Sequence, residues 1–393
     1  MNSIGEIRDL VDPSPDLLSA RTPPEFVFKY IDLGSVDRGS INWPAVGRFS
    51  FRSAPSRARR LVRRGDILYG TVRPALCSHA YVDTDETCVA STGFAVLRSN
   101  SRSHSRYIYH LIMSDIVKRE SRKFEAGSNY PAVNESDVLR YSVPVPSLDK
   151  QRKIADILDA VDESIRSTER MIAKLEQAKQ GLLNNLLSFE SAQEDWRLLT
   201  LGQLTTKIVD GVHATPRYVE KGVPFVTVEN LTRTRGISLS PCRYITASDH
   251  RAFSVRADPR PGDVLVSKDG TLGVARVVGK QHGAFSIFVS VAMLRPRPTV
   301  VMPEFIALFF VSEYFYRQLG SQSSGSGLKH IHLNQFRNLE LPVPSINEQR
   351  RIMSILGAAD DRIIAEMHDL TKLRRLKLGL MRDLLTGRVR VKV

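Results

Sequence analysis

Five arginines (Arg57, Arg59, Arg60, Arg63 and Arg64) fall within eight residues of the stretch SRARRLVRRGD. Guanidinium groups at this density suit phosphate contact; a solvated or partner-facing helix is the alternative use. Lys268, in Ser267-Lys268-Asp269-Gly270-Thr271, follows a predicted strand and could touch a base edge, a phosphate or only its own turn. The segment GSQSSGSGLKHIH (320–332) is small and polar and ends in Lys329 and His330, which suits either a DNA-facing loop or a linker. Bond-making chemistry finds less support. A metal-dependent nuclease needs converging carboxylates followed by a lysine, and beside Asp263 and Lys268 stands only Asp269, in a turn. His330 and His332 supply two metal ligands where three or four are needed. The string GVARVVGKQ (273–281) has five residues between its glycines and ends in glutamine, so it is not a phosphate-cradling loop.

The net charge of +14 points the same way, towards a polyanion partner. By segment it is +4 for 1–146, −1 for 147–192, +6 for 193–340 and +5 for 341–393. A hydrophobic fraction of 42% and a charged fraction of 25% are ordinary for a globular protein. No apolar run reaches the length of a membrane span, and the N-terminal residues lack the apolar core of a secretory signal. Cys77, Cys88 and Cys242 fit neither a disulfide framework nor a zinc pattern. A cytoplasmic protein with reduced thiols is the expectation.

What must position these residues is written twice. Residues 143–165 read VPVPSLDKQRKIADILDAVDESI and residues 341–363 read LPVPSINEQRRIMSILGAADDRI. Over 143–187 and 341–385, 19 of 45 aligned positions are identical, so this is an internal duplication. The prolines keep the chain extended, and Ser147 and Ser345 then stand as helix N-caps, with Glu348 completing a capping box in the second copy. Apolar residues follow in steps of four and three: Ile154, Leu158, Val161, Ile165, Ile172, Leu175, Leu182 and Leu186, against Ile352, Leu356, Ala359, Ile363, Leu370, Leu373, Leu380 and Leu384. This is the seam of a coiled coil. Both copies interrupt it at the same two places, with Thr168 or Glu366 and with Lys179 or Lys377. Two helices of about 40 residues would pack together as a rod of roughly 60 Å; a lone amphipathic helix on each domain is the alternative.

Residues 1–142 and 193–340 read as mixed, strand-rich domains, with short apolar runs such as GDILYG and GDVLVS ending in turn signals. Each block closes with a helical segment, Tyr107–Arg119 and Glu304–Leu319. Gly65-Asp66-Ile67-Leu68 matches Gly262-Asp263-Val264-Leu265, and Gly127-Ser128 matches Gly325-Ser326. The expected class is therefore α+β: domain (1–142), helical repeat (143–192), domain (193–340), helical repeat (341–393), with a pseudo-twofold internal repeat.

In this order, and in the doubled Pro-x-Pro-Ser-x-x-x-Gln-Arg-x-Ile element, the chain resembles the specificity subunits of type I restriction–modification systems. The second domain opens Asp210-Gly211-Val212-His213-Ala214-Thr215-Pro216, where the family usually has threonine in place of Val212; Gly270-Thr271-Leu272-Gly273 also fits. The first domain lacks a clear counterpart of that opening. The resemblance implies two target-recognition domains, each binding half of a split asymmetric DNA site, with His213 among the DNA contacts. It implies an antiparallel coiled coil that separates the domains and sets the gap between half-sites. Two methyltransferase subunits and motor–nuclease subunits would join the chain, using S-adenosylmethionine, ATP and magnesium that this chain itself does not bind. Gln151, Arg152, Gln349 and Arg350 recur at the same helix positions and suit a shared methyltransferase partner; repeated capping and salt-bridge roles are the competing account. An Asn/Asp-Pro-Pro-Tyr motif for amino-methyl transfer is absent. The leading expectation is a DNA-recognition subunit with no catalytic or metal site and no membrane association. Its rivals are a single-chain modification or restriction enzyme and a coiled-coil scaffold without DNA readout.

Overall fold

The computed structural model describes residues 3–12, 16–127, 129–187, 196–320 and 330–392. The chain forms two compact units, residues 1–170 with 367–393, and residues 171–366. Both are built on one plan.

Each unit is clasped by a two-stranded antiparallel ladder that joins the beginning of a domain to its end. Ser3–Glu6 pairs with Ser142–Val145 in the first, and Arg197–Thr200 pairs with Glu340–Val343 in the second. The Pro-x-Pro extension supplies the outgoing strand, because a residue before proline is held extended. The helix then starts at once: Leu148–Leu186 in the first copy, Ile346–Leu385 in the second. Ser345 Oγ accepts the Glu348 N–H at 3.3 Å, as a cap should. The Glu348 carboxylate turns instead to Arg351, at 2.6 and 2.8 Å, so the reciprocal half of the capping box gives way to an ion pair.

The long helices pack antiparallel, and each gives one half to each unit. In the first unit Ile154, Ala155 and Leu158 meet Met381, Leu384 and Leu385 in one core with Ile7, Tyr107 and Tyr141. In the second, Leu183 and Leu187 meet Ile352 and Leu356 in a core with Phe305, Phe310 and Phe336. None of the expected seam positions is exposed on either helix, while the residues between them mostly are. The 3.5-residue period thus reports the packing.

Inside each domain the sheets correspond. The Gly-Asp turn leads into a buried strand, Ile67–Gly70 or Val264–Ser267, flanked by Phe94–Leu97 and His79–Tyr81 in the first domain and by Val291–Pro296 and Ala275–Val277 in the second. A second sheet joins Val27–Ile31 in parallel to Cys88–Ser91, and Val223–Val226 in parallel to Ser286–Ile287. The terminal helical segments are each two short helices. Ser105–Ile112 and Asp115–Phe124 break at Ser114, and Pro303–Phe309 and Glu313–Gly320 break at Ser312. Each serine hydroxyl donates to a carbonyl three residues back at 2.6 Å, closing the first helix before the second begins. Among the described residues, no helix is long and apolar enough to cross a membrane.

Candidate nucleic-acid interface

The arginine run is a strand, Ala58–Val62, not a helix, and that splits its side chains. Arg60 is half-buried and donates to Glu135 at 2.6 Å. Arg64 is exposed but engages Asp83 and, at 2.8 Å, Asp85. Arg59 lies half-buried with its guanidinium 5.3 Å from the Phe51 ring centre. Arg57 and Arg63 are exposed, and among the described residues their guanidinium groups meet no carboxylate, although the Arg63 N–H donates to Asp66 at 3.0 Å. Among the described residues of the run, these two guanidinium groups remain unpaired; the other three are engaged by their own domain.

Lys268 is 3% exposed, and its Nζ lies 3.4 Å from Asp210. It follows a fully buried strand, and a buried ammonium needs a counter-charge. Asp210 is that counter-charge. Burial raises the pKa of this carboxyl, but the hydrogen bond from Arg256 and the charges of Arg256 and Lys268 outweigh burial and hold it below its ordinary value. Lys268, for which a base-edge or phosphate contact and a turn role were both open, is thus held in an internal ion pair. His330 is likewise engaged: its ring bonds Asp269, and the next N–H, of Ile331, donates to Lys268 carbonyl at 2.9 Å. Together they close the turn at Gly270. Lys329 lies outside the described residues, as does most of the 320–332 segment. His213 is exposed at 67%, with Nε2 3.5 Å from the buried Asp210. Among the described residues it is the most exposed of the second domain's expected contacts.

The repeated Gln-Arg pair divides in the same way. Gln151 and Gln349 are completely buried. Gln151 Nε2 donates to the carbonyls of Pro146 (2.9 Å) and Arg102 (3.2 Å), and its Oε1 accepts from the His104 N–H (2.9 Å). Gln349 does the same with Pro344 (2.9 Å), Val300 (3.0 Å) and Met302 (2.8 Å). These glutamines bolt the helix start to the segment before each short helix pair, with their side chains turned inward. Arg152 and Arg350 are exposed beside them.

Two repeated pairs escaped the sequence reading. Asp66 receives Arg98 at 2.7 and 2.8 Å, and Asp263 receives Arg295 at 2.8 and 2.9 Å. Each is a two-pronged guanidinium–carboxylate bridge under the Gly-Asp turn. The repeated Gly-Asp and an arginine 32 residues on were the available signal.

His110, Asp159 and Asp162 bring three ligand atoms within 4.8 Å of one another, the one metal-like grouping among the described residues. Arg106 already bonds Asp159, and Lys377 lies 2.6 Å from Asp162. Two carboxylates facing two cations form a charge-balanced network, and an added dication would have to displace a cation. Burial lowers the pKa of His110, opposed by its bond to Asp159.

These features define a class: a duplicated scaffold in which two different mixed domains are carried on one repeated helix pair. The family model described as "Type I restriction modification DNA specificity domain" matches residues 60–177 and 194–375, and the chain belongs to that family. It is 23% identical over 332 residues to the putative type I restriction enzyme MjaX specificity subunit of Methanocaldococcus jannaschii, covering 79% of this chain and 75% of that one. The EcoKI specificity subunit of Escherichia coli K12 is 22% identical, over 70% of this chain and 65% of that one. Among solved structures, the HsdS subunit from Thermoanaerobacter tengcongensis aligns with a TM-score of 0.54 at 25% identity, over 98% of this chain and 97% of that one. A chain from work on complex assembly and conformational transition of the type I R-M system aligns with a TM-score of 0.69 at 24% identity, over the same shares. The chain is thus a specificity subunit: a DNA-recognition component that is not itself catalytic. Cofactors in such systems belong to partner subunits.

Proposed function

We propose that residues 1–142 and 193–340 each read one half of a bipartite, asymmetric DNA site. In this reading the paired helices set the spacer between the half-sites. They also dock two methyltransferase subunits, which motor–nuclease subunits then join; S-adenosylmethionine, ATP and magnesium serve those partners in a cytoplasmic complex. The observation that carries this reading is the unequal fate of the two repeats. The anchoring parts are duplicated bond for bond, as Gln151 and Gln349 and the pairs Asp66–Arg98 and Asp263–Arg295 show. The exposed parts are not: Arg57 and Arg63 mark one domain, His213 the other. Identical mounting with different outward faces is what two readers of different sequences require. Phosphate contact falls to Arg57 and Arg63, and partner contact to Arg152 and Arg350, since these side chains are exposed at repeated or cationic sites.

The test is an exchange of residues 1–142 for the matching region of another specificity subunit, followed by single-molecule methylome sequencing with the methyltransferase subunits present. One half of the methylated motif should change and the other should stay. A change in both halves, or in neither, would overturn the two-reader model.

A further inference from the structure

The strand Ile67–Gly70 runs into a turn that corresponds to the one after Val264–Ser267. In the second domain the backbone turns left-handed at Gly270 (φ +68°) and Gly273 (φ +75°). The first domain makes its left-handed turns at Arg73 (φ +47°) and Cys77 (φ +57°). A β-carbon in this region crowds the carbonyl that follows, which is why glycine is the usual occupant. Arg73 therefore sits where a less strained residue is available and is used in the sister domain. Strain of this kind gathers where orientation matters.

The side chain at this position is held yet uncommitted. Its guanidinium lies 4.2 Å from the ring centre of Tyr130, which is 67% exposed. Among the described residues Arg73 meets no carboxylate, and its one side-chain hydrogen bond is a long 3.5 Å approach to the Asn129 carbonyl. Below it the backbone is fastened: Arg73 N–H donates to Pro131 at 2.7 Å, and Val133 N–H donates to Thr71 at 3.0 Å. A flat, exposed cation stacked on an aromatic face, on an anchored turn, has few directions left for its N–H fork.

We propose that Arg73, stacked on Tyr130, reads a base edge, a guanine through its O6 and N7 acceptors, within the half-site of the first domain. This rests on the reading that residues 1–142 recognise one half-site. A phosphate contact is the weaker use, because a flexible cation on an unstrained backbone serves a phosphate equally well, whereas a two-pronged base contact needs fixed direction.

The experiment uses the complex with its methyltransferase subunits and duplexes carrying the methylated motif or each single base-pair change in it. Wild-type complex should discriminate about 10- to 100-fold at one G·C pair of the first-domain half-site. Arg73→Gly and Arg73→Lys should both lose that discrimination and keep it at the other half-site. Arg73→Gly should not lower the unfolding midpoint, since glycine suits the backbone. Retained discrimination in both variants would overturn the proposal. So would an affinity loss equal for all sequences with a salt slope reduced by about one, which marks a phosphate contact. Should the wild-type complex show no preference traceable to residues 1–142, the two-reader model would fall and this inference with it.

Discussion

Lys377 Nζ lies 2.6 Å from Asp162, and Lys179 Nζ lies 2.6 Å from Asp360. Both are contacts between the two long helices, one in each unit. Each lysine interrupts an apolar seam, and each is answered by an acid from the opposite helix. A polar pair inside a seam costs stability and gains register, because a shifted helix leaves both charges without partners. The two interruptions are thus one device used twice.

Removing both members should therefore cost less than the two single removals add up to. Asp162 is almost buried and Lys377 largely so. Lys377→Ala should destabilise the first unit by about 1–3 kcal/mol. The Asp162→Ala/Lys377→Ala double variant should lose less than the sum of the singles by at least about 0.5 kcal/mol. Urea titration of the four species provides the cycle, and strict additivity would show that the pair does no registering.

The buried glutamines give a sharper contrast. Gln349→Leu leaves a Met302 N–H and two carbonyls without their partner and should cost about 2–4 kcal/mol, from roughly 1–3 kcal/mol per unsatisfied buried group. Its neighbour Arg350→Ala should stay within about 0.5 kcal/mol in stability while weakening assembly with the methyltransferase subunits. Thermal unfolding and co-purification separate the two effects. Equal stability losses at both positions would contradict this division of labour.

A pH dependence follows from His79. Its ring stacks on Tyr69 at 4.1 Å between centroids, and Nδ1 accepts the Gly70 N–H at 3.0 Å. Burial, assisted by the charge of Lys118, holds its pKa down to about 3. The unfolded histidine takes a proton near pH 6.5 and the folded one does not, so stability present above pH 6.5 is lost as pH falls towards 3. The slope from this group is at most about 1.4 kcal/mol per pH unit. Denaturation curves at pH 7, 6 and 5 should show the loss in wild type and a smaller one in His79→Gln.

The arginine run should behave as two populations. Arg57→Ala and Arg63→Ala should each weaken DNA binding of the assembled complex alike for all sequences and lower the salt slope by about one. Arg60→Ala should instead destabilise the first domain, because it removes the half-buried Arg60–Glu135 ion pair. Salt titrations of binding beside thermal melts distinguish them.

The long helices were legible in the sequence because a helical period is local: Ile154, Leu158 and Ile363 announce their burial through spacing alone. The meaning of Lys179 was not, since its partner Asp360 is remote in the chain and only packing joins them. Arg60 and Lys268 failed as surface candidates for the same reason. Charge density is visible in sequence, but the acids that neutralise it, Glu135 and Asp210, are not adjacent. Gln151 and Gln349 stood out by repetition and suited a shared partner, yet repetition marks a shared duty without saying whether it faces inward, and both side chains are buried. Arg73 carried no signal at all, because a left-handed backbone shows in sequence only when glycine occupies it.

The first core holds Ile7 and Tyr107 together with Met381, Leu384 and Leu385, while the buried members of the second, among the described residues, run from Leu183 to Leu356. On the ribosome, where synthesis is vectorial, this reverses the expected order of completion. The second unit has all its parts when Glu366 has emerged. The first, translated earlier, must wait with an open apolar face until the last turns of the second long helix arrive. A premature stop shortly before Met381 would thus damage the domain made first and spare the one made later.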